Sequence, residues 1–243
     1  MATESHHITV GGIQVEVVRK AIKNLHLGVY PPQGRVRVAA PLVINDEAVR
    51  LAVIDKLVWI KRQQARFAAQ QRQSQREMVN GESHYYLGRR YRLRLHEQTG
   101  TAHVVVGGVA FIDLFVPPGT TPEQREAILS NWYRVQLKQM IPPLLEKWQA
   151  ILNLQIAFWG IRKMKTKWGS CNATMRRLWF NLELVKKPKQ CLEYIVVHEL
   201  LHLLERHHND YFTDLLDAHI PQWRETREIL NSMPLGHDDW SFE

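Results

Sequence analysis

Apolar and polar residues alternate along the first forty positions of the chain, with Gly and Pro between the alternating runs. The clearest runs cover residues 13–17, 25–29 and 36–38. A period of two places every second side chain on the same face, which is the pattern of a half-exposed β-strand. We therefore expect the chain to begin with a group of short strands joined by turns.

The pattern changes to helical spacing at Asn45, a good N-cap residue. Apolar residues then recur three or four positions apart from Val49 to Ile60, and a run rich in Gln and Arg continues to Arg76. This predicts one long amphipathic helix, with an exposed joint around residues 70–82. Its basic polar side is typical of a solvated face, and a nucleic-acid-binding face is the alternative.

A second strand group follows the long helix. Alternation returns over residues 85–95, 103–106 and 110–116, and a Gly-Gly pair at 107 and 108 predicts a hairpin turn between the last two strands. The strands and the long helix together form a predicted β-rich N-terminal region, residues 1–120.

The C-terminal region, residues 121–243, is predicted to be mainly helical. Thr121-Pro122 has the form of a helix start. We expect this helix to reach about residue 140, where the prolines at 142 and 143 should break or restart it before residue 152. Extended pieces at 155–159 and 178–184 and an apolar helix from about Pro188 complete an α+β fold with a small second sheet.

The composition is that of a soluble globular protein of 243 residues, 45% hydrophobic and 23% charged. The N-terminus lacks a secretory signal pattern and no apolar run is long enough to cross a membrane, so we expect a cytoplasmic protein without membrane contact. The two cysteines, Cys171 and Cys191, are expected to be reduced thiols, and they form no Cys-x-x-Cys pair for zinc.

The formal net charge of +8 favours contact with polyanions such as nucleotides or nucleic acid through a salt-sensitive field. The alternative is a basic surface that serves only solubility, and the charge does not decide between the two.

The chemistry of the chain is concentrated in the apolar helix, where His198 and His202 lie four positions apart. Four residues make about one helical turn, so both imidazoles leave the same face and converge on one ion. Glu199 is rotated about 100° from His198, which suits a catalytic base acting on a zinc-activated water better than a third ligand.

A third ligand must come from beyond the helix, and His207 and His208 are the candidates. A continued helix would place either ring off the ligand face, so the chain must turn after His202. The polar run at 205–210 is a natural stop, and a following helix from Asn209 would present one of the two rings to the metal. The alternative is a buried helix with satisfied core histidines, but burial of His-Glu-His without a metal or other partners is costly.

At this point the sequence resembles the YgjP-like metallopeptidase domain family, related to the SprT-like and minigluzincin zinc peptidases, over roughly residues 15–232. The resemblance rests on the segment Lys165-Thr166-Lys167-Trp168-Gly169-Ser170-Cys171, on Asn181-Leu182-Glu183-Leu184, and on His-Glu-Leu-Leu-His followed after five residues by His208. It implies a zincin-like core, one Zn²⁺ ion and a peptide or protein substrate. It also selects His208 as the third ligand, because Phe212 follows it by four residues, although Thr213 stands where the family often has Trp.

The segment Trp168-Gly169-Ser170-Cys171 and the strand near residues 178–182, which contains Asn181, are predicted to form the edge of the substrate cleft, where an extended peptide pairs as an added strand. The alternative is that Trp168 and Cys171 only pack the helix against the sheet. Cys171 as ligand or nucleophile is disfavoured, because three His complete a catalytic zinc site. Tyr194 and Tyr211 are both candidates for a hydrogen bond to the oxyanion, and the sequence does not choose between them.

Peptide-bond hydrolysis is the leading hypothesis for the function. A first alternative keeps the metal and takes a nucleotide or other phosphoanhydride, because six cations lie between residues 162 and 177. A second alternative is a nucleic-acid-associated module, either a SprT-like protease or a binding protein.

Overall fold

The computed structural model describes residues 5–30, 34–69, 76–164 and 167–232. Within the described residues the chain divides into two compact units, the first made of residues 5–69 and the second of residues 76–232. The α+β fold class predicted from the sequence is confirmed, since each unit contains both α-helices and small mixed sheets or a single such sheet.

The first unit is a four-stranded sheet with two helices. The sheet has the order β1-β2-β4-β3, in which the β2/β4 pair is parallel and the others are antiparallel. Its elements are β1 (Ser5–Val10), β2 (Ile13–Lys20), β3 (His26–Tyr30), β4 (Arg35–Pro41), α1 (Asp46–Asp55) and α2 (Leu57–Ala69). The inward residues of the sheet are mainly Val, a β-branched residue that is enriched in strands. They pack against the apolar stripe of the helices.

The prediction of a single long helix from Asn45 is wrong, because the helix is interrupted at Lys56. There the backbone N–H bonds to the Val53 carbonyl three residues back, and regular helix resumes at Leu57. Apolar spacing reports which face is buried and does not report a change of hydrogen-bond partner at one residue. The part of the prediction that falls on residues 70–75 lies outside the described residues.

The second unit contains two sheets. One has the order β5-β6-β8-β7, and the other, with three strands, has the order β10-β11-β9. Their strands are β5 (Ser83–Tyr86), β6 (Arg89–Glu97), β7 (His103–Gly107), β8 (Phe111–Val116), β9 (Phe158–Arg162), β10 (Gly169–Asn172) and β11 (Arg177–Asn181). The hairpin turn predicted at Gly107-Gly108 joins the antiparallel pair β7 and β8. In the smaller sheet β10 lies at one edge and pairs antiparallel with β11.

Two extended pieces begin or end elsewhere than the sequence predicts. The strand expected at 155–159 is β9, which starts at Phe158, since the preceding backbone N–H of Ile156 bonds instead to the Gln149 side chain. The strand expected to reach residue 184 ends at Asn181. Its side chain accepts from the Glu183 N–H and caps a short 3-10 helix, Leu182–Lys186.

The helix α3 (Pro122–Leu152) begins at a capping box in which Thr121 and Gln124 satisfy each other's backbone N–H groups. The predicted break at Pro142-Pro143 is wrong, because α3 runs through both prolines. Each proline removes one helical hydrogen bond, but both face solvent, where water can satisfy the freed carbonyls. The opposite face carries a buried stripe that packs into the core and holds the helix together, made of Leu129, Tyr133, Leu137, Ile141, Leu145 and Trp148.

One apolar core joins both sheets of the second unit to α3 and to the helices α4 (Lys189–Leu201), α5 (Asp210–His219) and α6 (Trp223–Ser232). The boundary that the sequence suggests near residue 120 falls inside this unit, between β8 and α3. Among the helices of the described residues, none combines the length and the apolarity needed to span a bilayer.

Candidate metal centre

The helix α4 is apolar on nearly all sides and is enclosed by the core, as expected for a helix without a polar face. It begins after Pro188, whose φ of −52° is already helical in value, and most of its residues from Cys191 to Leu201 are buried. His198 and Glu199 lie in its last turn, and His202 is its C-cap. The site is therefore built on one of the most enclosed elements of the unit.

The chain turns directly after α4, as the sequence predicts. Asn209 then caps α5, and its side-chain oxygen accepts from the Phe212 N–H at 3.0 Å. This reversal carries His208 back to α4, and its Nε2 lies 3.1 Å from Nε2 of His198.

Three imidazoles converge at this point. The ring centroids of His198, His202 and His208 are 4.8 to 4.9 Å apart, and one ligand nitrogen from each lies within 4.8 Å of the others. Two nitrogens bound to the same tetrahedral zinc are about 3.3 Å apart, close to the separation of the His198 and His208 nitrogens. Within the described residues, this cluster contains His208 and not His207.

The surroundings orient the three rings. Nδ1 of His202 lies 3.0 Å from the Glu205 carbonyl, so Nδ1–H donates to it and Nε2 is free to bind an ion. Phe212 has its ring 4.8 to 5.0 Å from all three imidazoles. Nδ1 of His198 is buried and has no hydrogen-bond partner among the described residues.

The environment of His198 and His208 favours the neutral imidazole, which is the form that binds a metal. Burial lowers the pKa of His198 to about 3, and the neighbouring His202, His208 and Arg227 act in the same direction. The pKa of His208 is also lowered, first by burial and then by His202 and Arg227. Close packing of three imidazole nitrogens around a common point fits a bound cation better than a core without one.

Glu199 is buried beside the cluster, and burial raises the pKa of its carboxyl group to about 8, against a smaller opposing effect of Lys167. Its carboxylate lies against the backbone of β10. A Cβ built on Gly169 would lie 2.5 Å from Oε1 of Glu199 and 2.7 Å from its Cγ and Cδ. Only glycine therefore allows β10 to approach the carboxylate this closely.

A sequence model of the YgjP-like metallopeptidase domain matches residues 23–233, which is most of the chain. The chain belongs to this family. It is accordingly a metallopeptidase-type hydrolase, and a family of that type suggests a metal cofactor.

Part of this YgjP-like domain is similar to a solved structure. The crystal structure of the metallopeptidase zymogen abylysin from Pyrococcus abyssi matches with 22% sequence identity and a TM-score of 0.34, over 36% of this chain and 89% of that one. No curated protein matches the chain.

The predicted cleft residues of the YgjP-like domain lie along β10 and just before it. Gly169 and Cys171 are on the side of β10 that faces α4, and Ser170 is opposite Trp179 on the other side. The Cys171 thiol is half-buried, and burial together with Glu199 raises its pKa to about 11, so it is not a reactive thiolate. Trp168 is partly buried against the core, with Lys187 over its ring.

Asn181 makes hydrogen bonds to the backbone of the segment that precedes β10. Its side-chain amide donates to the carbonyls of Met164 and Lys167, and its oxygen accepts from the N–H groups of Met164 and Glu183. Its hydrogen-bonding groups are thus engaged with the segment that leads into β10. Asn181 therefore positions the segment before β10, and both N–H donors of its side chain are engaged.

The two tyrosines named from the sequence lie in different environments. Tyr194 is buried one helical turn before His198, with the two rings 5.8 Å apart, whereas Tyr211 is 55% exposed. Tyr194 lines a cavity of about 280 Å³ beside the cluster, together with Phe212, Leu216, Trp223 and Arg227.

The basic segment 162–177 does not converge on the histidine cluster as a whole. Arg162 lies over the Trp179 ring at 3.3 Å, and Arg177 is near Phe158, both on the sheet face away from α4. Arg176 donates to the Gln155 carbonyl, and Lys163 pairs with Glu126. Lys167 acts electrostatically on Glu199, and Lys165 lies outside the described residues.

Sequence reasoning missed Trp223 and Arg227, which α6 brings to the cavity. No motif marks them, and they lie more than twenty residues beyond His202. Their four-residue spacing, which puts them on the same helix face, is the one signal that the sequence holds.

Proposed function

We propose that this chain is a zinc-dependent peptidase in which His198, His202 and His208 hold one zinc ion and Glu199 is the general base. The observation that carries the proposal is the convergence of three imidazoles, with the buried carboxyl group of Glu199 next to His198 in the same helix turn. Three histidines with an open fourth position are a donor set of catalytic zinc sites. When bound, zinc supplies a Lewis acid that makes a coordinated water acidic near neutral pH.

Glu199 is suited to moving the proton in this reaction. Its side chain leaves α4 next to His198 but lies against the β10 backbone, so it faces the space where a substrate on that strand would lie. It takes a proton from the attacking water and returns it to the leaving amine. A bound cation also offsets the burial that keeps the carboxyl group protonated in the metal-free chain.

The edge strand β10 is the proposed substrate-binding strand. An extended peptide pairs with its free edge through main-chain hydrogen bonds, opposite Gly169, Ser170 and Cys171. Tyr194 is the proposed donor to the oxyanion, since it borders His198 and lines the same cavity.

Metal content and activity of two variants test this function. His208→Ala is expected to lose the metal, because two imidazoles remain, and Glu199→Gln is expected to keep the metal and lose at least about 100-fold in kcat. Metal is measured by mass spectrometry of purified protein, and activity with a panel of denatured proteins and quenched peptides. His207→Ala is the matched control and should retain both.

Two results would contradict the proposal. One is full metal content in His208→Ala. The other is phosphate release from nucleoside triphosphates that disappears in Glu199→Gln, with no peptide cleaved by the wild-type protein; this result would assign the site to phosphoanhydrides.

A further inference from the structure

The cavity beside the histidine cluster has an apolar wall and a single charged side chain. Phe212, Leu216 and Trp223 are buried residues that line it, and Tyr194 lies parallel to Trp223 with the ring centroids 6.4 Å apart. At about 280 Å³ the cavity is at the small end of the range for ligand pockets, roughly 300–1,000 Å³. It has room for one side chain or chain end of a substrate rather than for a long segment.

Arg227 is the charged side chain that lines this cavity. It projects from α6 one turn after Trp223, and its positive charge acts on Tyr194, His198 and His208. Among the residues that the structure describes, no carboxylate pairs with Arg227 and none lines the cavity. By contrast Arg224, in the same helix, is paired with Asp217.

An unpaired guanidinium on the rim of an apolar pocket selects for a complementary anion. Arginine presents a planar set of donors that matches a carboxylate in two parallel hydrogen bonds. The wall itself accommodates the methylene groups that carry the carboxylate.

We propose that this cavity is a specificity pocket for a substrate carboxylate next to the bond that is cleaved, with Arg227 as the residue that binds it. The inference rests on the proposed peptidase function and names its substrate class as acidic peptides. Two sources supply this chemistry, namely an Asp or Glu side chain and the free C-terminus of a peptide.

A peptide panel separates the two sources. One series carries Glu, Gln, Leu or Lys at a single position and an amidated C-terminus, and a second series has only neutral side chains and ends in a free carboxylate or an amide. Wild type is expected to prefer one class of acidic peptide by about 10- to 100-fold in kcat/KM. Arg227→Gln should lose that preference and leave neutral amidated peptides within about threefold. Arg227→Lys should recover part of it, and Arg227→Glu should favour the Lys peptide.

Arg92→Gln, which removes an exposed arginine on β6, is the matched control and should behave as wild type. An equal loss of kcat/KM on acidic and neutral peptides in Arg227→Gln would overturn the proposal, because it would assign Arg227 to the reaction itself. Equal cleavage of Glu and Gln peptides, and of acid and amide ends, by wild type would also overturn it.

Binding distinguishes a failure of the pocket from a failure of the peptidase function. Fluorescence anisotropy with labelled peptides is measured on Glu199→Gln protein and on the same protein with Arg227→Gln. If wild type cleaves no peptide but the acidic peptide binds in an Arg227-dependent manner, the carboxylate pocket stands and the peptidase function falls. Binding that ignores both the carboxylate and Arg227 removes the pocket.

Discussion

Gly169 leaves the space against β10 that the Glu199 side chain occupies. The carboxylate and the β10 backbone touch because a hydrogen takes the place of a side chain. A methyl group there would overlap three atoms of Glu199, and the enclosed helix leaves that side chain little room to retreat.

Gly169→Ala is therefore expected to lower kcat by at least about tenfold while metal content is unchanged, since the carboxylate moves and the histidines do not. Overpacking should also lower the free energy of unfolding by about 1–3 kcal/mol. Steady-state kinetics, metal analysis and urea unfolding measure the three effects.

Ser170→Ala is the control for this change, because Ser170 lies on the other side of the same strand. Wild-type kcat in Gly169→Ala would show that Glu199 does not depend on this contact.

How far single residues could be predicted depends on whether their relation is local. His198, Glu199 and His202 share a helix turn, so their spacing alone indicates a common face. Arg227 and Trp223 reach the cavity only because α6 packs against α4, and no local pattern contains that contact. The hydrogen bonds between Asn181 and the segment before β10 could not be predicted for the same reason, since their partners are distant in sequence.

At the scale of the elements, the turn between α4 and α5 positions His208, the proposed third metal ligand. Asn209 stabilises that turn by capping α5, and His208 precedes it directly. Loss of the cap should loosen the start of α5 and with it the position of His208.

Asn209→Ala is expected to cost about 1 kcal/mol of unfolding free energy and to weaken metal affinity by about 10-fold. Asn45→Ala is the matched control, because Asn45 caps α1 of the first unit by the same contact, at 2.9 Å to the Ala48 N–H. It should lose similar stability and keep its metal affinity, as measured by competition with a chelating dye. Equal metal affinity in both variants would show that the cap does not position His208.

Elements with a regular period and a clear start were predictable, including β2, β3, β4, β7, β8 and the start of α3. The strand β1 was not predicted, and the run at 85–95 is divided by a turn into β5 and β6. The passage of α3 through Pro142 and Pro143 was not, because the propensity of two residues is outweighed by a buried stripe spread over the whole helix. The interruption at Lys56 involves one hydrogen bond and leaves the apolar pattern intact.

At the scale of the whole molecule, the two units enclose separate apolar cores. The sequence suggested a division near residue 120 because strands are replaced by helices there. The division near residue 71 follows instead from which side chains share a core, and this depends on long-range packing.

Metal removal should therefore affect one unit. A metal at 100 times its dissociation constant stabilises the unit that binds it by about 2.7 kcal/mol, which corresponds to about 5–10 °C in Tm. In calorimetry, a chelator is expected to lower the transition of the second unit and to leave that of the first unit unchanged. A common shift of both transitions would contradict this expectation, and His208→Ala, measured in parallel, should show no response to the chelator.

In the proposed binding mode, the four residues of β10 limit how much substrate backbone can pair with the protein. A strand of that length extends about 13 Å, so it registers only a handful of backbone amides. Native proteins seldom offer even this much unpaired main chain outside their tails and loops. The brevity of the strand thus makes conformational openness, rather than a long recognition sequence, the first requirement that a protein must meet to be cut.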